Sequence, residues 1–205
     1  MAIMTTPAGK AVYPYLDVAD TKFNENGLYC TKLHVEEGDY NTFKLHIDEQ
    51  YERAYAEECQ RQGKSKLRKA SSSPLRITDE GDYEIYSKQE AQKMTKTKGL
   101  LTFKVAAHNA KGEHIKMPPV GGGSTIKLAV EPHFWFVQSQ GFGYTLRLKA
   151  VQIIDLIEKG AGGMENVFAS VEGYEGGESF TDELETDAAP QKAIATAEDD
   201  DEFSF

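Results

Sequence analysis

Short stretches in which apolar and polar residues alternate between turn residues restrict this chain's fold most, because a period of two suits a half-buried strand and not a helix. Leu28 to Val35 alternates, Thr42 to Ile47 alternates after the Gly38-Asp39 turn, and Leu100 to His108 runs into Asn109-Ala110-Lys111-Gly112. Thr125 to Val130 and Tyr144 to Ile154 complete five expected strands. One helix is expected between the second and the later strands: Asp48 is placed to cap it, Tyr51, Tyr55 and Cys59 share a face with Ala54, and Gly63 stops it. Ser87-Lys88-Gln89-Glu90 has capping-box spacing and reads as the start of a shorter helix. Lys64 to Gly81 and Gly160 to Gly177 read as irregular. Five strands with one inserted helix predict a mainly β protein, a partly open five-stranded barrel of the OB-fold kind; a doubly wound sheet would need more helices.

The net charge of −10 argues against a polyanionic partner until it is divided along the chain. Glu172 to Phe205 holds 12 acidic residues and one basic, Lys192, whereas Met1 to Val171 comes to a net of +1. The acidity therefore belongs to a tail, and the chain is expected to divide into a binding domain over 1–171 and an acidic interaction tail over 172–205. The tail is poor in β-branched residues and dense in acid, so it cannot bury enough surface to offset its ordering entropy, and it is expected to be disordered. No apolar run exceeds four residues, as in Phe134 to Val137, far short of the roughly 20 that a bilayer helix needs, and a basic-then-apolar leader is absent. The expectation is a cytoplasmic protein without membrane contact. Cys30 and Cys59 stand 29 positions apart with no CxxC spacing, which suggests reduced structural thiols.

Successive strand residues face opposite sides, and the side turned away from each apolar phase repeatedly carries a cation. Lys32 lies between Thr31 and Leu33, Lys44 and His46 alternate with Phe43, Leu45 and Ile47, and Lys104 separates Phe103 from Val105. Lys127 alternates with Ile126 and Leu128, and Arg147 and Lys149 with Leu146, Leu148 and Ala150. A second basic element, Arg61-Gln62-Gly63-Lys64-Ser65-Lys66-Leu67-Arg68-Lys69, has five cations in nine positions and no acid, and reads as a mobile phosphate-contacting arm or a solvated loop. His133-Phe134-Trp135-Phe136 crowds four rings beside a strand end. Cationic tracks with aromatic platforms are what holds single-stranded nucleic acid, although burial accounts equally well for part of the rings.

Catalysis has no candidate. A Walker motif ending at Gly63-Lys64-Ser65 would need glycine where Glu58 stands, and GxGxxG, HExxH, GxSxG and Glu-x-Lys are all missing. Histidines at 34, 46, 108, 114 and 133 show no tight ligand spacing, so neither a metal nor another cofactor is expected.

Pro118-Pro119-Val120-Gly121-Gly122-Gly123-Ser124, the lysine-bearing strand after it, Pro132 with Trp135 three later, and the long strand from Tyr144 form an ordered set. With Glu52-Arg53-Ala54-Tyr55-Ala56-Glu57-Glu58, the basic loop and an acidic terminus closed by phenylalanine, the chain resembles the single-stranded DNA-binding proteins of short-tailed bacteriophages. That resemblance implies an OB-fold that coats single-stranded DNA without sequence preference in phage replication, recombination and repair, in the host cell cytoplasm. It also implies an acidic tail that recruits phage DNA polymerase and helicase-primase, and a homodimer. On this chain the tail contacts would be Asp199, Asp200, Asp201, Glu202 and Phe205, with Phe203 an alternative anchor, and Lys64, Lys66, Arg68 and Lys69 match the family's basic loop in character. DNA contacts are expected from Lys32, Lys44, Lys104, Lys127, Trp135, Arg147 and Lys149. A different class of function, an interaction module whose acidic tail mimics DNA to block a host DNA-binding protein, fits the same charge division.

Overall fold

The apolar phases of the strands close on one another around a single core. A computed structural model describes residues 3–22, 24–95 and 99–160, so the expectations for the acidic tail lie outside the described residues. Along the described chain run β1 (Met4–Thr5), β2 (Gly9–Asp20), β3 (Leu28–Val35), α1 (Glu37–Arg61), β4 (Leu75–Ile77), β5 (Tyr83–Glu90) and β6 (Gln92–Thr95). There follow β7 (Gly99–Thr102), β8 (Ala106–His108), β9 (His114–Ile115), β10 (Thr125–Val137) and β11 (Gly141–Asp155). Five of these form a ring in the order β10-β2-β3-β5-β11, with β11 returning to β10. The expected five-stranded OB-type barrel with one inserted helix is thus present, with β1, β4, β8 and β9 added at its margins and β6–β7 standing as a separate hairpin.

The ring's long ladders are antiparallel: β2 with β3, β3 with β5, and β10 with β11. Two short seams complete it. β10 meets β2 only through Thr125–Lys10 and Ile126–Gly9, and β11 meets β5 in parallel at Arg147–Lys88. Inward side chains include Leu16, Leu33, Ile85, Ile126, Leu128, Leu146 and Leu148, all essentially without solvent contact.

Several local expectations are corrected. Thr42 to Ile47 is helix, not strand: α1 begins at Glu37 after the extended Glu36, with Glu37 and Asp39 complementing the positive end of its dipole. A six-residue window cannot separate the two periods, whereas Tyr40, Phe43 and Ile47, continued by Tyr51 and Tyr55, form a helical stripe. Leu45, which would alternate inward on a strand, is 60% exposed, and Asp48 is interior to the helix instead of capping it. The helix does end at Gly63: its φ is +62°, the Lys64 N–H donates to Cys59 O and the Gly63 N–H to Gln60 O, a Schellman closure. Ser87 to Glu90 is strand β5, because Ser87 and Ile85 face inward while Lys88 and Glu90 face out. Leu100 to His108 is interrupted between β7 and β8.

The basic loop is tethered, not an arm. Tyr55 Oη donates to Leu67 O at 2.8 Å and accepts the Leu67 N–H at 2.9 Å. The Phe142 N–H donates to Arg68 O and the Ala70 N–H to Phe142 O. Gly141 permits this approach, since a Cβ there would lie 2.5 Å from Arg68 O.

Candidate nucleic-acid interface

Where β5, β10 and β11 turn their polar phase outward, a groove of ≈ 580 Å³ opens on the barrel wall. Lys88 of β5, Lys93 of β6, and Thr145, Arg147 and Lys149 of β11 line it with His133 of β10 and Phe103. Leu28, Asn24, Gln89 and Glu90 complete the lining. Register explains the convergence: Lys88 is opposite Arg147, Arg147 opposite Glu131, and Thr145 opposite His133, and paired residues share a face.

Two of the four cations are already engaged. Lys149 Nζ is 2.8 Å from Glu131 Oε2, a hydrogen bond that holds the Glu131 carboxyl below its ordinary value, and Lys93 lies 4.0 Å from Glu90. Among the described residues Lys88 and Arg147 form no ion pair, although they face each other across the β5–β11 seam. Like charges set opposite each other are destabilising, so this pair favours any anion that comes between them. Burial, and after it the positive charge of Arg147, pushes His133 below its usual value, so at neutral pH it offers a flat neutral ring and not a third charge. The lining therefore combines cations outside any described ion pair with aromatic side chains, the two groups that a flexible polyanion with flat substituents needs.

Trp135 stands two residues beyond His133 on the same face of β10, opposite Gly143. A Cβ at Gly143 would come within 2.7 Å of the indole, so the ring lies across the bare glycine and stays half-buried. Its neighbour Phe134 points the other way, into a cluster under α1. There Tyr51 has ring-centroid distances of 5.2 Å to Phe142, 5.6 Å to Tyr144 and 6.2 Å to Phe134.

Of the expected DNA contacts, the groove collects Arg147 and Lys149, with Trp135 along the same face. The others are dispersed. Lys32 pairs with Glu84 at 3.1 Å, Lys44 lies on α1 beside Asp48, and Lys69 binds Glu52 at 2.6 Å while lying over the Tyr51 and Tyr55 rings. Lys64, Lys66 and Arg68 are exposed on the tethered loop, Lys104 is exposed beside Phe103, and Lys127 faces outward nearer the start of β10. Lys88, Lys93 and Phe103 were missed. Lys88 carried the outward phase of an alternation that the capping-box reading concealed, and Lys93 sits on a hairpin that the sequence did not announce. Among the described residues no three His, Cys, Asp or Glu side chains gather into a metal-holding group.

No protein-family model matches the chain, and no curated protein matches it by sequence. Its fold does match solved structures. The single-stranded DNA-binding protein gp2.5 of bacteriophage T7 superposes with a TM-score of 0.65 at 22% identity, over 83% of this chain and 99% of that one. The single-stranded DNA-binding protein of bacteriophage Enc34, in complex with single-stranded DNA, matches with a TM-score of 0.55 at 14% identity, over 76% and 88% of the two chains. The fold that the resemblance implies is thus present: the described residues have the OB-type barrel found in these phage single-stranded DNA-binding proteins.

Proposed function

We propose that the chain binds single-stranded DNA without sequence preference and without a catalytic step. The observation that carries this is the groove whose lining brings Lys88 and Arg147, neither in an ion pair among the described residues, together with Phe103 and His133, on a barrel shared with a protein solved on single-stranded DNA. Phosphates would settle on the cations and bases on the rings, contacts that every nucleotide offers alike. The biological setting follows the resemblance: coating of single strands in phage replication, recombination and repair within the host cytoplasm. In this reading the tail, through Asp199 to Glu202 and Phe205 or Phe203, recruits phage polymerase and helicase-primase, and the protein acts as a dimer.

The test is binding of the full chain to oligothymidine and to duplex over a salt series. Tighter binding to the single strand is expected, with log affinity falling against log salt by about 0.7 per phosphate neutralised. Arg147→Glu and Lys88→Glu should each weaken binding and flatten that slope. Equal affinity for duplex, or no response to either reversal, would refute the reading.

A further inference from the structure

A second cavity, of ≈ 470 Å³, lies on β2 away from the groove. Its walls are Tyr13, Pro14 and Tyr15, the glycine turn Gly121 to Gly123, and Lys159. It is a built feature. Buried Ser124 accepts the Ile157 N–H at 3.0 Å, the Gly121 N–H donates to Ile157 O at 2.7 Å, and the Gly123 N–H donates to Ala11 O at 2.8 Å. The Lys159 N–H donates to Pro119 O at 2.8 Å, which holds that lysine at the rim with its Nζ 5.0 Å from the centre of the Tyr15 ring. Tyr13 is the only described non-glycine residue in the left-handed region, at φ +48°, and its side chain is 74% exposed. A non-glycine residue held in that region carries backbone strain, and such residues cluster at ligand-binding sites.

Register ties this cavity to the groove. Tyr15 pairs with Cys30, Cys30 with Lys88, and Lys88 with Arg147, so one outward row crosses β2, β3, β5 and β11. Three steps of about 4.8 Å put Tyr15 on the order of 14 Å from Arg147 along that row. The cavity lining carries two rings, one cation and no carboxylate, so it suits an anionic ligand with flat apolar faces.

Resting on the single-strand reading, we propose that the DNA continues from the groove over Cys30 to this cavity, where Tyr13 and Tyr15 stack its bases and Lys159 takes a phosphate. The ligand is an unpaired polynucleotide, since a duplex has no free base faces to offer. The station lengthens the bound site and leaves the groove's own contacts unchanged.

The test compares the full wild-type chain with Tyr13→Gly and Tyr15→Ala on oligothymidines of increasing length. The shortest oligomers that bind, which fill the groove alone, should lose less than twofold. Longer ones should lose about 5- to 150-fold for each stacked base given up, the range that 1 to 3 kcal/mol of base stacking converts to. In the native chain, an oligomer carrying 5-iodouridine at one end should photo-crosslink to the segment from Ala11 to Lys22 when long and not when short. Unchanged affinity at every length, equal loss at every length, or no crosslink from long oligomers would overturn the station. If the variants spare DNA binding but abolish binding of a peptide spanning 194–205, the cavity holds the chain's own end and the proposal also fails. Failure of the wild type to bind any oligomer would instead remove the single-strand reading itself.

Discussion

The Trp135 ring can reach across to β11 because its cross-strand partner is Gly143, and a half-buried indole on the same face as His133 is a surface on which a base can stack. Its fluorescence should quench on addition of oligothymidine. Trp135→Ala should cost about 1 to 3 kcal/mol of binding while the thermal melt barely moves; a collapsed melt with unquenched emission would assign the ring to packing. Glu84 makes a separate prediction about stability. It is only 1% exposed yet carboxylic; burial pushes its carboxyl up, but hydrogen bonds from Arg76 and Lys32 more than offset this, so the net shift is downward from 4.5. A depressed value means that the stability Glu84 contributes is present in full above pH 4.5 and is lost as pH falls through the lower native value. Glu84→Gln should therefore lower the melting temperature at pH 7 and flatten its decline in acid. Equal acid sensitivity in both proteins would place that decline elsewhere.

At the scale of elements, the pinned loop between α1 and β4 depends on Gly141, whose φ of +99° and lack of a Cβ admit the Arg68 carbonyl. Gly141→Ala should destabilise the fold by roughly 1 to 3 kcal/mol, the scale of a forced backbone conformation, and should speed tryptic cleavage after Lys66 and Arg68. Cleavage at the wild-type rate would show that the tether is not what protects the loop. This loop also marks what the sequence could and could not tell. Arg61 to Lys69 reads as a mobile arm or a solvated loop, and its tether stays hidden, because its anchors, Tyr55 and Phe142, are distant in sequence and leave no local pattern. The alternating runs at Leu28, Thr125 and Tyr144 are legible because apolar side chains recur on their inward phase, with the phase in the last run shifting at Lys149 and Ala150. Thr42 to Ile47 was not, since a window that short fits either period. The groove was half legible: Arg147 and Lys149 stand on an unmistakable strand, while Lys88 needed β5, and Lys93 and Phe103 needed a hairpin and a loop whose positions tertiary packing sets.

For the whole molecule the charge division has a measurable effect. On the proposed function, a tail of −11 joined to a body of +1 is expected to compete with DNA phosphates at high effective concentration. Deleting 172–205 should tighten DNA binding, most at low salt, because the Debye length of about 10 Å at 0.1 M screens the attraction. Removing Phe205 alone should leave DNA affinity nearly unchanged and weaken polymerase capture. A truncation with no effect at any salt would end the competitor role. The barrel's parallel seam has a mechanical consequence as well. It rests on the single pair Arg147–Lys88, two cations set side by side where the ladder is shortest. On the proposed function a phosphate laid between them would act as a clasp: the wall should breathe when the protein is alone and fall still when it is loaded, so amide exchange along β5 and β11 should slow on DNA binding more than exchange in α1.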